Sequence, residues 1–173
     1  YLQGFWFRRV PGLGSTVFAG RAALGLADGF PRSAVNPQGQ LETVEDLPAS
    51  ERFFAGGDTT VRGFALDRLG TEATLNADGF PTGGNAMVVL NAEIRTPHVK
   101  GVGLVGFVDA GNVFLRAGDV NLGELRAAAG LGLRYRSPLG PLRLDIGFKL
   151  DRRDLTRGTE RRAVYHLSLG QAF

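Results

Sequence analysis

The chain has 173 residues, one domain's worth of sequence, with 20 Lys and Arg, 17 Asp and Glu, and a formal net charge of +3. Its 26 glycines follow no Gly-X-Y repeat and 43% of its residues are hydrophobic, which excludes a collagen helix and a disordered chain. Cysteine is absent, which excludes disulfides and thiolate metal sites.

Hydrophobic residues recur with a period of two over segments of about ten residues, which is typical of β-strands. Each segment is close to the ~9 to 11 residues that a tilted strand needs to cross a bilayer. Helix signals are almost absent, so the sequence predicts an all-β chain with about seven strands. In chain order, the predicted strands are Tyr1–Val10, Thr16–Ala27, Ala86–Arg95, Val102–Phe114, Leu125–Arg136, Leu142–Asp151 and Val164–Phe173.

The two faces of these strands differ sharply. In Leu142–Asp151 every even-numbered residue is aliphatic or aromatic, whereas the odd-numbered residues are charged or glycine. A soluble sheet would place Lys, Glu, Thr and Ser on its polar face. Here arginine is mixed with carboxylate and glycine, as expected inside a closed membrane barrel. A soluble β-sandwich is the alternative that alternation alone leaves open.

The connectors between the predicted strands alternate between short and long. This layout is typical of an outer-membrane barrel, which has short turns on one side of the membrane and long loops on the other. It therefore favours the barrel over the sandwich. The short connectors are Arg9–Ser15, Thr96–Gly101 and Ser137–Pro141, and the long ones are Asp28–Asn85, Leu115–Glu124 and Asp151–Arg162.

Five motifs resemble those of one known family. The longest reads RFFAGGDTTVRGF and spans Arg52–Phe64. The chain thereby resembles the outer-membrane assembly barrels of the BamA and TamA type, the bacterial surface-antigen superfamily. The resemblance runs from about Arg52 to the C-terminus, and the first fifty residues match only in strand pattern. The other motifs are GGNA at 83–86, FVDAG at 107–111, SPLGPL at 137–142 and YHLSLGQAF at 165–173.

The resemblance implies a transmembrane antiparallel β-barrel, of which residues 1–173 form the C-terminal part. About seven strands of a probable sixteen are then present. It also implies that a long loop at about residues 28–85 is tucked into the lumen. The loop carries the tetrad Val61, Arg62, Gly63 and Phe64.

Within this tetrad, the resemblance implies that Arg62 meets acidic groups on the inner wall. The alternation independently places Glu93 and Asp109 on polar faces, which makes them the expected inner-wall partners. Taken alone, the tetrad could equally be an ordinary surface turn with an exposed arginine.

The last predicted strand ends in a pattern that resembles the C-terminal assembly signal of outer-membrane proteins. Without the resemblance, it could be any edge strand with an aromatic end. The residues of the expected signal are Tyr165, Leu167, Leu169, Gly170 and Phe173.

The implied function is an insertase that assembles β-barrel proteins into the outer membrane of a Gram-negative-type bacterium, by strand templating and local membrane thinning. The expected partners are unfolded outer-membrane clients, accessory lipoproteins or periplasmic domains, lipid and lipopolysaccharide. The alternatives are a two-partner-type polypeptide translocation pore of the same superfamily and, less favoured, a passive porin.

Other signals indicate no further chemistry. The GxGxxG at 101–106 precedes no helix, and His98 and His166 lack metal-ligand spacing. No catalytic residues, cofactor or metal are therefore predicted, and the chain is expected not to be an enzyme. The arginines are too dispersed for a nucleic-acid patch. Those at 152–162 are interpreted as a solvated loop, with contact to lipopolysaccharide phosphates as a weaker hypothesis.

Overall fold

The computed structural model describes residues 1–35, 38–44, 47–138, 140–155 and 158–170. Short 3-10 helices cover Ala49–Glu51, Ala117–Asp119 and Leu122–Glu124. Within these ranges, no helix is long and apolar enough to cross a membrane. The strands are β1 (Leu2–Arg9), β2 (Val17–Leu26), β3 (Arg32–Val35), β4 (Leu41–Val44), β5 (Ala86–Arg95), β6 (Val102–Phe114), β7 (Arg126–Ser137), β8 (Gly140–Lys149), β9 (Asp154–Leu155), β10 (Gly158–Thr159) and β11 (Ala163–Leu169).

Seven of these strands form one antiparallel sheet in the order β1-β2-β5-β6-β7-β8-β11. Each strand pairs with the next sheet strand along the chain, so successive connectors lie at opposite ends of the sheet. Residues 10–16, 96–101 and 138–139 link strands at one end, and residues 27–85, 115–125 and 150–162 link them at the other. The predicted strand number and the alternation of short and long connectors are confirmed.

The apolar face of the sheet points outward. On β8, Asp145 is completely buried, whereas its neighbour Leu144 keeps 49% of its surface exposed. On β7, Arg134 is buried between the exposed Leu133 and Tyr135. A soluble sheet buries its apolar side chains, so this inverted pattern agrees with a wall that faces lipid.

Three regions differ from the sequence-based expectation. The connector 27–85 contains the hairpin β3–β4, and the connector 150–162 contains the short pair β9–β10. The last strand ends at Leu169 because Gly170 adopts a φ of +106°, outside the extended region. Residues 171–173, including Phe173 of the expected assembly signal, lie outside the described residues.

A small apolar core lies on the inner face of the sheet, between the strands and the connector 27–85. The alternation had marked the even-numbered residues of β5 as apolar. Near the long-connector end, however, the odd-numbered Met87 and Val89 are also apolar and are buried under the connector. The core consists of Ala55, Val61, Phe64 and Leu69 of the connector with Ala23, Met87, Val89, Val113 and Ala128 of the sheet.

Candidate functional site

The segment 58–64, called the loop tip below, crosses the polar face of the sheet. Three consecutive backbone carbonyls of the tip accept hydrogen bonds from side chains of three different strands. Because these donors are fixed in the sheet, they set the height and direction of the tip. The bonds run from Arg143 Nη2 to Asp58 O (2.9 Å), from Arg21 Nη1 to Thr59 O (2.6 Å) and from Asn91 Nδ2 to Thr60 O (2.7 Å).

Arg62 occupies the centre of the site and is 1% exposed. Its Nε and Nη2 donate to the two carboxylate oxygens of Asp109 at 2.7 and 2.8 Å, a bidentate geometry. Its backbone N–H also donates to Asp109 (3.0 Å), and its Nη1 donates to Glu93. The guanidinium carbon lies 3.6 Å from the centroid of the Phe107 ring. The structure therefore brings together Arg62, Glu93 and Asp109.

The surrounding charges keep Arg62 ionised. Burial by itself would lower the pKa of its guanidinium, but the hydrogen bond and charge of Asp109 and the charges of Glu93 and Asp145 raise that pKa overall. A buried guanidinium that is always charged requires carboxylates, and here it has three within ion-pair distance.

A third carboxylate, Asp145 on β8, extends the network. It accepts hydrogen bonds from Arg134 Nη1 (2.6 Å) and Arg143 Nη2 (3.2 Å). Arg95 Nε in turn donates to Glu93 Oε2 (2.7 Å). Each carboxylate of the network accepts a hydrogen bond from at least one arginine. The network consists of the carboxylates of Glu93, Asp109 and Asp145 and the guanidinium groups of Arg62, Arg95, Arg134 and Arg143.

The loop tip lies in direct contact with the backbone of β8. Gly63 has a φ of +93°, which favours glycine, and a Cβ there would lie 2.7 Å from Ala128 Cβ. A Cβ on Gly147 would lie 2.5 Å from the Gly63 nitrogen. Both glycines are therefore required for the close approach that lets Arg62 reach its partners.

The last strand also holds the loop tip. The N–H of Gly63 donates to His166 Nε2 at 3.2 Å. The sequence analysis gave no role to His166, Arg21, Asn91, Arg143 or Asp145. Alternation marks most of them as inward-facing, but it contains no information on which loop they meet.

Phe64 links the loop tip to the connector 150–162. Its ring lies 4.7 Å from the Arg126 guanidinium carbon and 5.0 Å from Lys149 Nζ. Arg126 in turn pairs with Asp151 at 2.9 Å and with Glu160 at 2.5 Å. The tetrad therefore contacts the sheet directly and is linked to the second long connector through Arg126.

The arginine-rich connector was predicted to be a solvated loop, but one of its arginines is half-buried. Arg153 is half-buried and donates to the carbonyl of Gly70 at 3.0 Å. Its backbone N–H donates to Glu160 (3.2 Å). Arg152, Arg161 and Arg162 are exposed, and Arg157 lies outside the described part of the chain.

The residues of the expected C-terminal signal lie along one face of β11. Tyr165, Leu167 and Leu169 are all exposed, and Leu167 retains 76% of its surface. Within the described residues, β11 pairs with β8 only. One edge of β11 is thus unpaired in the sheet.

We expect acidification to release the connector 150–162. Burial alone would raise the pKa of Glu160, but the hydrogen bond and charge of Arg126 lower it overall. Its stabilising contribution is therefore present above the ordinary carboxyl pKa of about 4.3 and is lost as the pH falls through the lowered value. The protection of the amides of this connector against hydrogen exchange, relative to the intrinsic exchange rate at each pH, should therefore fall over that range in the full-length protein.

Two variants check the assignment to Glu160. Glu160→Gln should loosen the connector above this pH range by on the order of 1 kcal/mol, match wild type below it, and remove the pH dependence. Glu51→Gln changes an exposed acid elsewhere and should leave the transition unchanged. An identical transition in Glu160→Gln would show that another group is responsible.

Comparison with known proteins agrees with this architecture. The Omp85 superfamily domain matches residues 3–173. The outer membrane protein assembly factor BamA of Nitratidesulfovibrio vulgaris strain Hildenborough is 34% identical over 133 residues, which cover 74% of this chain and 16% of that protein. The crystal structure of BamA from Haemophilus ducreyi lacking POTRA domains 1-3 superposes with a TM-score of 0.65 at 20% identity. That alignment covers 96% of this chain and 34% of the crystallised one.

The chain therefore spans only a part of these relatives. The predicted all-β fold class and the resemblance to BamA-type barrels are confirmed, as is the outer-membrane localisation, which is that of this superfamily in Gram-negative-type bacteria. The sheet, its short and long connectors and the matched residues 3–173 lead to one identification: the chain belongs to the Omp85 superfamily.

Proposed function

We propose that this chain is the C-terminal part of a barrel that inserts other β-barrel proteins into the outer membrane, with its polar face lining the lumen. The connector 27–85 is then the lumen-tucked loop. Its tip supports this placement, because Arg62 and its carboxylate partners are buried on the polar side of the sheet, away from the apolar face. At the level of the superfamily, outer-membrane protein assembly or translocation follows from membership itself.

The insertase rests on the similarity to a BamA assembly factor, and the proposed template is β11, which forms one edge of the described sheet as β1 forms the other. An unpaired strand edge presents N–H and C=O groups that can template an incoming strand. With clients supplied as unfolded chains, each new hairpin could pair with this edge before it leaves for the membrane. No catalyst or nucleotide is needed for this step.

The length of β11 supports local membrane thinning. It has 7 residues, whereas β6 has 13 and β7 has 12. At about 3.3 Å per residue, β11 extends about 23 Å, less than the ~30 Å of a typical hydrocarbon core. A short apolar band thins the adjacent bilayer, which lowers the barrier to insertion of a client strand.

The loop tip acts as an internal brace in this proposal. It bonds side chains of β2, β5, β6, β8 and β11 and thereby ties the wall together from inside. Such a brace would keep the wall in register while the edge strand exchanges its partner. Accessory lipoproteins or periplasmic domains are the proposed helpers, and exposed arginines of the connector 150–162 are the proposed contacts to lipopolysaccharide phosphates.

A polypeptide-translocating pore of the same superfamily is the second candidate. It shares the polar inner face, and superfamily membership covers translocation as well as assembly. A passive porin explains neither the tip nor its anchors. A large, stable single-channel conductance of the full-length protein would favour the porin.

Folding kinetics in liposomes test the insertase. We expect the full-length protein to accelerate the folding of an unfolded outer-membrane barrel, and the acceleration to fall in thicker bilayers because thinning becomes more costly. Liposomes containing an unrelated barrel protein are the control. No acceleration over that control would refute the insertase and leave the pore as the favoured function.

A further inference from the structure

Charge is distributed unevenly along the strands of the sheet. The short connectors 10–16, 96–101 and 138–139 contain no Asp or Glu. The 17 carboxylate residues all lie in the long connectors, except Glu93, Asp109 and Asp145. Six of the 20 Lys and Arg residues, by contrast, lie in or close to the short connectors: Arg8, Arg9, Arg95, Lys100, Arg134 and Arg136.

A cavity of about 380 Å³ lies at this short-connector end. We call it the basic cavity and define it by Arg95, His98, Arg134 and Arg136. Hydroxyl groups of Thr96 and Ser137 complete its polar wall, and none of the described residues that line it is acidic. The cavity thus collects three guanidinium groups, of which Arg95 and Arg134 pair with Glu93 and Asp145, carboxylates that do not line it.

Arg134 lies in the wall of this cavity and has one buried donor without a hydrogen bond. Its side chain is only 7% exposed, and its Nη1 bonds Asp145. Its Nη2 has no hydrogen-bond partner among the described residues, and the nearest carboxylate oxygen, on Glu93, is 3.8 Å away. Glu93 already accepts bonds from Arg62 and Arg95. Arg134 therefore contributes positive charge to the wall of the cavity, and its own carboxylate partner is Asp145.

The exposed edge of the cavity is formed by Arg136. Among the described residues Arg136 takes part in no ion pair, so its guanidinium group is available to a ligand. Burial and the charge of Arg136 lower the pKa of His98. The imidazole is therefore neutral near neutral pH and can contribute an N–H donor without adding charge.

The position of the cavity limits what can bind. Arg134 and Arg136 alternate along β7 with the exposed Leu133 and Tyr135, so the cavity opens on the face opposite the apolar one. Lipid headgroups gather around the apolar face and do not reach this side. The planar guanidinium group of arginine matches a carboxylate in a bidentate geometry, as Arg62 does with Asp109.

We propose that the basic cavity binds carboxylate side chains of an acidic polypeptide segment at the short-connector end of the lumen. The proposal rests on the proposed function only in placing the polar face toward an enclosed interior. It assigns a docking site for a polypeptide to a part of the wall next to the loop-tip network, since Arg95 and Arg134 bond Glu93 and Asp145 of that network.

Peptide binding to the full-length protein in detergent tests this site. The probe is a fluorescein-labelled oligoglutamate, with oligoglutamine of equal length as the control peptide. We expect only the oligoglutamate to bind and its affinity to fall with added salt. Arg136→Gln should weaken binding by about tenfold, and Arg136→Lys, which keeps the charge but loses the fork, should weaken it less.

Lys100→Gln is the matched control variant. It removes the same charge at the same end of the sheet, from an exposed residue that does not line the cavity, and should change affinity by no more than about twofold. Equal losses in Arg136→Gln and Lys100→Gln, or binding of oligoglutamine, would overturn the site. So would displacement of the probe by inorganic phosphate at concentrations where acetate is ineffective, which would indicate a phosphate site.

The liposome assay separates this proposal from the proposed function. Normal oligoglutamate binding by a protein that fails to accelerate client folding would refute the insertase and leave the cavity standing. Accelerated folding with no oligoglutamate binding would refute the cavity alone.

Discussion

Arg62→Ala in the full-length protein should release the loop tip and slow client assembly. The substitution leaves Glu93 and Asp109 buried without their central cation, and breaking a buried pair costs about 3 kcal/mol. That loss changes the ratio of docked to released tip by roughly a hundredfold. Thermolysin cleavage of the connector 27–85 and client folding in liposomes are the two measurements.

Two further variants define what Arg62 contributes. Arg62→Lys keeps the charge but cannot reproduce the bidentate contact with Asp109, so it should give an intermediate release. Arg116→Ala removes an exposed arginine of the connector 115–125 and should behave as wild type. If the tip of Arg62→Ala resists protease as the wild-type tip does and clients assemble at the normal rate, the ion pairs do not hold the tip.

Gly147→Ala should displace the same tip through steric contact alone. The added methyl group would lie 2.5 Å from the nitrogen and 2.7 Å from the Cα of Gly63, both backbone atoms that cannot rotate away. Overpacking of this kind costs about 1 to 3 kcal/mol. We expect increased protease sensitivity of the tip with all charges of the site intact, together with slower client folding.

Gly106→Ala is the matched control for this substitution. Gly106 also lies in a long strand of the sheet, but a Cβ there meets nothing within 4 Å. It should leave tip protection and client folding unchanged. Equal effects of the two substitutions would mean that general strand perturbation, and not contact with Gly63, controls the tip.

The strands of the sheet could be predicted because each carries its own periodic signal. The even-numbered residues of Leu142–Asp151 are apolar for a local reason, since side chains alternate across a strand, and the structure places that face outward. The hairpin β3–β4 has no such signal within the long connector. The burial of Met87 and Val89 was not predicted, because the connector 27–85 covers the inner face there and alternation carries no information on that contact.

The contacts of the site could be predicted only in part from the sequence. Alternation placed Glu93 and Asp109 on polar faces, and the resemblance suggested that Arg62 meets acids. Neither indicated that Asp145 joins the network or that His166 accepts the N–H of Gly63. These contacts join residues far apart in the chain, 103 positions for Gly63 and His166, so no local pattern marks them.

The sequence by itself determined the strands, their two faces, the alternation of connectors and the superfamily, because each of these follows from periodicity or motif. The tertiary structure alone decided where the loop tip lies and which side chains hold it. The physical reason is that the position of the loop tip depends on strand register and on the absence of a side chain at Gly147. Together, these let the backbones of the tip and β8 touch, which brings Arg62 within reach of its carboxylates.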